Sequence, residues 1–256
     1  MSELAFSFGR IAAEYDDVRP EYALEALDRA GEVLGLTADS HVVDLAAGSG
    51  KLTRALAPRF ADVVAVEPND NMRAVLAGRS ADIRVLAGTA ERMPLPDGFA
   101  DAILVGDAFH WFDGPAAVAE MLRVLRPRGG VALLWNHWWS DGDDRTVNTL
   151  EPAFPDEAQA LFDEIYVSSG RAAARAEMAD PLDAFAGAAF EPLVEEAFTR
   201  SEQLSGKEVV DLFATVSAAA SLPPAEREQL KRTLVAMLAS SYRLEITTVL
   251  HWTRRA

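Results

Sequence analysis

The chain contains no cysteine, so it can form neither a disulfide nor a thiolate metal site. Its four histidines, His41, His110, His137 and His251, are scattered without ligand spacing, and no metal centre is expected. No apolar run approaches the roughly 18 residues of a membrane span, so no membrane partner is expected. Met1-Ser2-Glu3-Leu4 lacks the basic-then-apolar layout of a secretory signal, and the expected location is cytoplasmic. Basic residues are scarce: 24 Lys and Arg face 40 Asp and Glu, a net charge of −16. Such a surface repels phosphate backbones, which disfavours nucleic acid and points to a small-molecule partner. Association as a homodimer is left open.

Two glycine patterns are missing as well. The segment Val42-Val43-Asp44-Leu45-Ala46-Ala47-Gly48-Ser49-Gly50-Lys51-Leu52-Thr53 reads as a buried strand, a tight small-residue turn and the start of a helix. A nucleotide pocket at the carboxyl end of a parallel strand is built this way. A dinucleotide fingerprint would carry a third glycine where Lys51-Leu52-Thr53 stands. A Walker-type loop would have a hydroxyl residue after Lys51, and Leu52 is there instead. Gly48 and Gly50 let the backbone turn sharply and let a ligand approach the main chain. Asp44, just before the turn, would repel a pyrophosphate but suits an ammonium group. Glu67 ends the apolar run Val63–Val66, 19 positions after Gly48, and its carboxylate can accept both hydroxyls of a ribose. A ligand with adenosine, an ammonium and a sulfonium satisfies all of this: S-adenosylmethionine, which leaves as S-adenosylhomocysteine after methyl transfer.

Further ordered segments carry a resemblance. They are Phe8-Gly9-Arg10 through Tyr15, Arg19-Pro20-Glu21-Tyr22, Asp44–Thr53, Val66-Glu67-Pro68-Asn69, and Gly88-Thr89-Ala90-Glu91 with Pro94-Leu95-Pro96-Asp97. Ala108-Phe109-His110-Trp111-Phe112 and Leu125-Arg126-Pro127-Arg128-Gly129-Gly130 complete the set. With them the chain resembles the class I S-adenosylmethionine-dependent methyltransferases, of the type 11 and trans-aconitate methyltransferase-like branch. Ala46 departs from the pattern, since many such proteins have a first glycine there. The resemblance implies methyl transfer to a small-molecule acceptor, at an oxygen, nitrogen or carbon that stays open. A non-catalytic S-adenosylmethionine-binding protein and an NAD(P)-binding oxidoreductase are the competing readings.

With 256 residues, half of them hydrophobic, the chain suits one sizeable core with a modest insertion. Pro20 is expected to begin a helix through about Leu34, with Gly35 as its stop. Strands are expected at Val42–Leu45, Val63–Val66, Ile83–Leu86, Ala102–Val105 and Val131–Trp135. Helices near Leu52–Phe60, Asn71–Leu76 and Ala116–Leu125 separate them, and Pro127 with Gly129-Gly130 should turn the last one into its strand. This alternation predicts an α/β, Rossmann-like, doubly wound and mainly parallel sheet. One domain over 1–256 is expected: a cofactor-binding core at 38–136, a helical substrate-cap insertion at 137–190, and C-terminal strands and helices at 191–256. The resemblance implies that strands near Leu193–Thr199 and Leu244–Trp252 close the sheet as an antiparallel C-terminal edge.

The expected cofactor site comprises Asp44, Ala46, Gly48, Gly50, Glu67, Pro68, Met72, Thr89, Ala90, Glu91, Gly106 and Asp107. Pro68 and Met72 would line the adenine, and Thr89-Ala90-Glu91 would hydrogen-bond its amino edge. Gly106 and Asp107 would approach the methionine moiety through backbone carbonyls. Asp44 has a second reading as a helix cap, Glu67 as a solvated strand-end carboxylate, and Met72 as helix core. His110 titrates near neutral pH and could accept a proton from the acceptor, a catalytic role; it could also only pack its loop, as could Trp111. His137, Trp138 and Trp139 follow the next strand and could form an apolar wall. In the resembling family the leading segment folds over the cofactor, which implies that Tyr15 closes the site and Arg19 faces a carboxylate. A helix surface with Arg19 paired to Asp16 or Asp17 is the alternative.

Overall fold

A computed structural model describes residues 11–138, 150–168 and 180–256; Phe8-Gly9-Arg10 and Trp139 lie outside them. A mixed sheet runs in the order β3-β2-β1-β4-β5-β8-β6, with β7 on the other side of β8. The strands are β1 (His41–Leu45), β2 (Asp62–Val66), β3 (Arg84–Leu86), β4 (Ala100–Gly106), β5 (Leu125–His137), β6 (Leu150–Glu151), β7 (Val194–Ser205) and β8 (Ser241–Arg254). β1 to β5 are mutually parallel. β8 is antiparallel to β5 and to β7, so the antiparallel strand lies one place in from the edge that β7 forms. The central strands read as unbroken apolar runs because both faces are covered.

On one face lie α2 (Leu24–Leu34), α3 (Lys51–Leu56) and α4 (Asp70–Arg79). Ala26, Leu27, Ala30, Leu52 and Leu56 pack there against Val42, Val63, Ala102 and Leu134, and Leu76 covers Ala47 and Ala65. The opposite face holds α5 (Gly114–Val124), whose Ala117, Val118 and Met121 meet Val43, Ile103 and Val131. Phe185, in the short turn Pro181–Phe185, packs on Phe109 of this second face, ring centres 5.4 Å apart. A smaller cluster joins α6 (Asp156–Ser168), α7 (Gly206–Phe213) and α9 (Pro224–Met237) through Phe162, Phe213 and Leu234; α8 is the single turn Ser217–Ala220. No helix among the described residues is long and apolar enough to cross a membrane.

Several boundaries differ from expectation, the strand near Leu193–Thr199 running on to Ser205 and the helix near Leu52–Phe60 ending at Leu56 among them; two have a visible cause. The first helix does not start at Pro20. A separate helix, α1 (Ala12–Val18), ends at Arg19, whose extended ψ of 136° is what a following proline imposes. Asn136 Nδ2 then donates to the carbonyls of Pro20 and Glu21, holding the chain extended until α2 begins at Leu24. At its other end α2 stops as expected, on a left-handed Gly35. The second difference is at Pro127. β5 already pairs with Ala100 at Leu125, bulges over Pro127 and a left-handed Arg128, and rejoins the ladder at Gly130.

Candidate functional site

The carboxyl ends of β1, β2 and β4 each deliver an acid, of which Asp44 and Glu67 are buried and Asp107 half-buried. Asp44 is inaccessible to solvent. Its Oδ2 accepts from the Thr53 hydroxyl at 2.5 Å, whereas Oδ1 has no partner. Burial, and then the neighbouring Glu67 charge, push this carboxyl up to about 7, with the Thr53 bond opposing. Asp44 caps no helix; Gly50 is the N-cap of α3.

Glu67 is 5% exposed, so the solvated reading does not hold. Its Oε2 accepts from Gly48 N–H at 2.9 Å and its Oε1 from Asn69 N–H at 2.8 Å. The side chain therefore clamps the turn after β1 to the turn after β2. Burial raises its pKa, and these two bonds resist the rise. Asn69 caps α4, taking the N–H groups of Asn71 and Met72. Met72 itself is buried and Pro68 half-buried beside it.

The β1 turn holds Ala46, Gly48 and Gly50 all at positive φ, 57°, 56° and 92°. A Cβ at Gly50 would meet Leu76 at 2.7 Å, while a Cβ at Gly48 would meet nothing within 4 Å. There is open space at Gly48.

At β3 the chain turns back on itself, Thr89 N–H donating to Arg92 O and Arg92 N–H to Thr89 O. Ala90 is buried. Glu91 does not turn its carboxylate to a ligand: Oε1 accepts from Asp113 N–H at 3.0 Å and secures the approach to α5.

At β4, Asp107 has a left-handed φ of 51°, an uncommon conformation for a residue with a side chain. Asp107 Oδ1 accepts from Asn136 N–H at 3.0 Å and Oδ2 from the Tyr22 hydroxyl at 3.1 Å. Burial pushes this carboxyl up to about 6, against the pull of the nearby Arg19 charge. Gly106 explains the fit: a Cβ there would lie 2.3 Å from the Tyr22 hydroxyl oxygen and 2.8 Å from Cζ. Gly106→Ala is expected to displace Tyr22 from Asp107 and cost roughly 1–3 kcal/mol, as overpacked cores do; a thermal melt reads the loss.

The N-terminal residues come together with Trp138. The Arg19 guanidinium lies 4.9 Å from the Tyr15 ring centre and 5.0 Å from that of Trp138. Its Nε donates to Thr215 Oγ1 and its Nη2 to the Thr215 carbonyl, both at 2.9 Å. Arg19 pairs with neither Asp16 nor Asp17. Arg54 and Arg79 take Asp16, and Arg79 also takes Asp17.

His110, Trp111 and His137 are elsewhere. Side chains alternate along β5: Leu134 and Asn136 face α2 and Tyr22, and Trp135 faces the α5 side. Trp135 Nε1 donates to His110 Nδ1 at 3.4 Å, which engages that ring nitrogen on the face opposite Asp107. Trp111 packs on that same core, and His137 shares its strand parity. Sequence reasoning passed over Thr53, Asn136 and Thr215. Tyr22 was visible three residues after Arg19, but its bond to Asp107 was not.

Residues 43–133 match the family described as Methyltransferase domain. An uncharacterized methyltransferase of Mycobacterium tuberculosis is 44% identical over 134 residues, 52% of this chain and 54% of its own length. The chain thus spans about half the length of that relative. An uncharacterized methyltransferase of Schizosaccharomyces pombe is 29% identical over 219 residues, 85% of this chain and 81% of that one. Among solved structures, a proposed type II methyltransferase from Anaeromyxobacter dehalogenans superposes with a TM-score of 0.60 at 22% identity. That likeness covers 92% of this chain and 97% of the other, and it is one of fold.

Proposed function

We propose that this chain, which belongs to the class I S-adenosylmethionine-dependent methyltransferases, transfers the cofactor's methyl group to a small-molecule acceptor. The observation that carries the reading is the unpartnered, buried Oδ1 of Asp44 on β1, just before the turn in which a Cβ on Gly48 would meet nothing within 4 Å. A buried carboxylate oxygen with no donor costs free energy unless a ligand supplies one. With Glu67 and Asp107 it puts three acids at the carboxyl ends of β1, β2 and β4, which suits a cationic ligand and repels a pyrophosphate. The residues present therefore fit S-adenosylmethionine. Asp44 would face the cationic amino-acid portion, Glu67 the ribose, Pro68 and Met72 the adenine, and the backbone of Thr89–Glu91 its amino edge.

The cofactor supplies a methyl group already activated by its sulfonium. The chain's task is to orient the acceptor and exclude water, which lowers a barrier by roughly 7–11 kcal/mol in favourable cases. Tyr15 of α1 and Trp138 after β5 would supply apolar, planar walls for the acceptor. The net charge of −16 favours a small molecule over a nucleic acid. Incubation with S-adenosylmethionine and a panel of carboxylic acids, phenols and amines should yield S-adenosylhomocysteine and a product heavier by one methyl. Tight cofactor binding without turnover of any panel member would replace this reading with the non-catalytic one.

Cofactor binding should depend on pH through Asp44. A cation is held by the ionised carboxyl, and the unliganded group titrates at about 7. Association with S-adenosylmethionine is therefore expected to strengthen about tenfold per unit as pH rises toward 7, and to level off above it. Binding below that point should release a proton. For folding the sign is opposite: the unfolded chain ionises Asp44 at lower pH than the native state does. Unliganded stability from this group therefore falls as pH rises from about 4 to about 7. Calorimetry in buffers of different ionisation enthalpy reads the proton, and Asp44→Asn should flatten the profile.

A further inference from the structure

Resting on that reading of the cofactor site, we infer that Asn136 is its positioning residue: it holds Tyr22 and Asp107 against each other at the carboxyl end of β4. Its backbone N–H donates to Asp107 Oδ1 at 3.0 Å. Its side chain donates to the carbonyls of Pro20 and Glu21, both at 3.1 Å. Tyr22 is the next residue, and its hydroxyl donates to Asp107 Oδ2 at 3.1 Å. One residue of β5 therefore grips both ends of the Tyr22–Asp107 contact, the acid directly and the tyrosine through the backbone before it.

The donors and acceptors at this place select asparagine. Thr248 on β8 is inaccessible to solvent. Its Oγ1 accepts from Ala23 N–H at 3.0 Å, which leaves the hydroxyl hydrogen for Asn136 Oδ1 at 2.6 Å. With Oδ1 facing a donor, Nδ2 faces the two carbonyls, and the amide has one orientation. Aspartate would set a carboxylate oxygen against those carbonyls, and leucine would offer them no donor. Arg200 and Lys51 also reach Glu21, at its carbonyl and its carboxylate. Asn136 and Thr248 together fix the chain on both sides of Tyr22, at Glu21 and at Ala23.

Asp107 needs that support. Its φ of 51° is one that a residue with a side chain seldom adopts, and it persists where the neighbours over-determine it. Burial, and then the Asp107 charge, push the Tyr22 pKa well above the ordinary tyrosine value, so the hydroxyl stays protonated and its hydrogen goes to Asp107. The Asp44 charge also acts on Tyr22, which places Tyr22 near two of the three acids of the site. The placing of the cofactor's cationic amino-acid portion therefore depends on Asn136 through Tyr22 and Asp107.

The test is a double-mutant cycle, read by calorimetric titration of the full chain with S-adenosylhomocysteine and with 5′-methylthioadenosine, which lacks the amino-acid portion. Tyr22→Phe removes the hydroxyl, and Asn136→Ala removes the grip on its backbone. Each alone is expected to weaken S-adenosylhomocysteine roughly 5- to 10-fold, the scale of a buried hydrogen bond. Tyr22→Phe added to Asn136→Ala should weaken it by less than about twofold more, because the hydroxyl is by then already out of place. Methylthioadenosine affinity should stay within about twofold throughout. Thr248→Val loosens the amide without removing it; it should reproduce part of the loss, and it takes the place of Asn136→Ala in the cycle if that variant does not fold. Independent effects that multiply to about 25- to 100-fold would overturn the inference. Equal weakening of both ligands would overturn it as well, because Asn136 would then serve the fold alone, and so would unchanged affinity in Asn136→Ala. A native protein that bound neither ligand would refute the cofactor reading instead, which is a different result.

Discussion

Glu67→Ala should raise the dissociation constant for S-adenosylhomocysteine at least ~100-fold and lower the melting temperature of the unliganded protein by roughly 5–10 °C. The two effects have separate causes. The stability loss comes from two backbone donors, Gly48 N–H and Asn69 N–H, which lose their acceptors at 2.9 and 2.8 Å. Glu67 is 5% exposed, so water replaces those bonds poorly, and an unsatisfied buried donor costs about 1–3 kcal/mol. The affinity loss adds the missing ribose acceptor to a loosened turn. Glu67→Gln keeps one acceptor oxygen but sets an amide NH2 against a backbone N–H. It should fall between the native protein and Glu67→Ala in both measurements. A Glu67→Ala protein that bound the cofactor normally would remove Glu67 from the ribose, whatever happened to its melting temperature.

The second large effect is expected at Asp16, which the sequence marked only as a possible partner of Arg19. Its side chain is 1% exposed and receives Arg54 of α3 at 2.7 Å together with Arg79 of α4. On the same helix Glu14 pairs with Arg227 and lies 2.9 Å from Lys231, both on α9. Helix α1 buries only Ala12 and Asp16, so charges rather than apolar area hold it across the cofactor half and the C-terminal helices. Removing Asp16 leaves Arg54 without its carboxylate and Arg79 with Asp17 alone. Breaking a buried pair costs about 3–5 kcal/mol, but Arg54 and Arg79 are 29% and 37% exposed, so water recovers part of it. About 2 kcal/mol is the expected loss, with cofactor affinity falling roughly tenfold as α1, Tyr15 and Arg19 loosen. The native protein should bind the cofactor more weakly as salt rises from about 0.05 to 0.5 M, and Asp16→Ala should show less of that dependence. Equal salt dependence in both would mean that α1 is held some other way.

Local features were the legible ones. The β1 turn, the acid at its head and the acid at the end of β2 could be read because strand, turn and helix start follow one another within a dozen residues. The parallel run of β1 to β5 was legible for a similar reason: a helix follows β1, β2 and β4, while the chain passes from β3 to β4 without one. What could not be read depends on contacts between distant parts of the chain. Pro20 was expected to open a helix, and local propensity supports that, but Asn136 holds the Pro20 and Glu21 carbonyls from 116 and 115 residues away. Arg19 meets Thr215 across 196 residues, and no local pattern announces it. His110 was placed beside the acceptor because its loop follows β4. Its partner is Trp135, and only the register of β5 shows that Trp135 and Asn136 look to opposite faces. Glu91 was expected to face the adenine, and its carboxylate instead holds Asp113.

The most direct measurement is a calorimetric titration of the native protein with S-adenosylhomocysteine and, separately, with NAD. A site of buried acids around an open small-residue turn predicts one S-adenosylhomocysteine bound per chain and no heat from NAD. Binding of NAD without S-adenosylhomocysteine would contradict it, because a pyrophosphate would then sit where Asp44 and Asp107 should repel it.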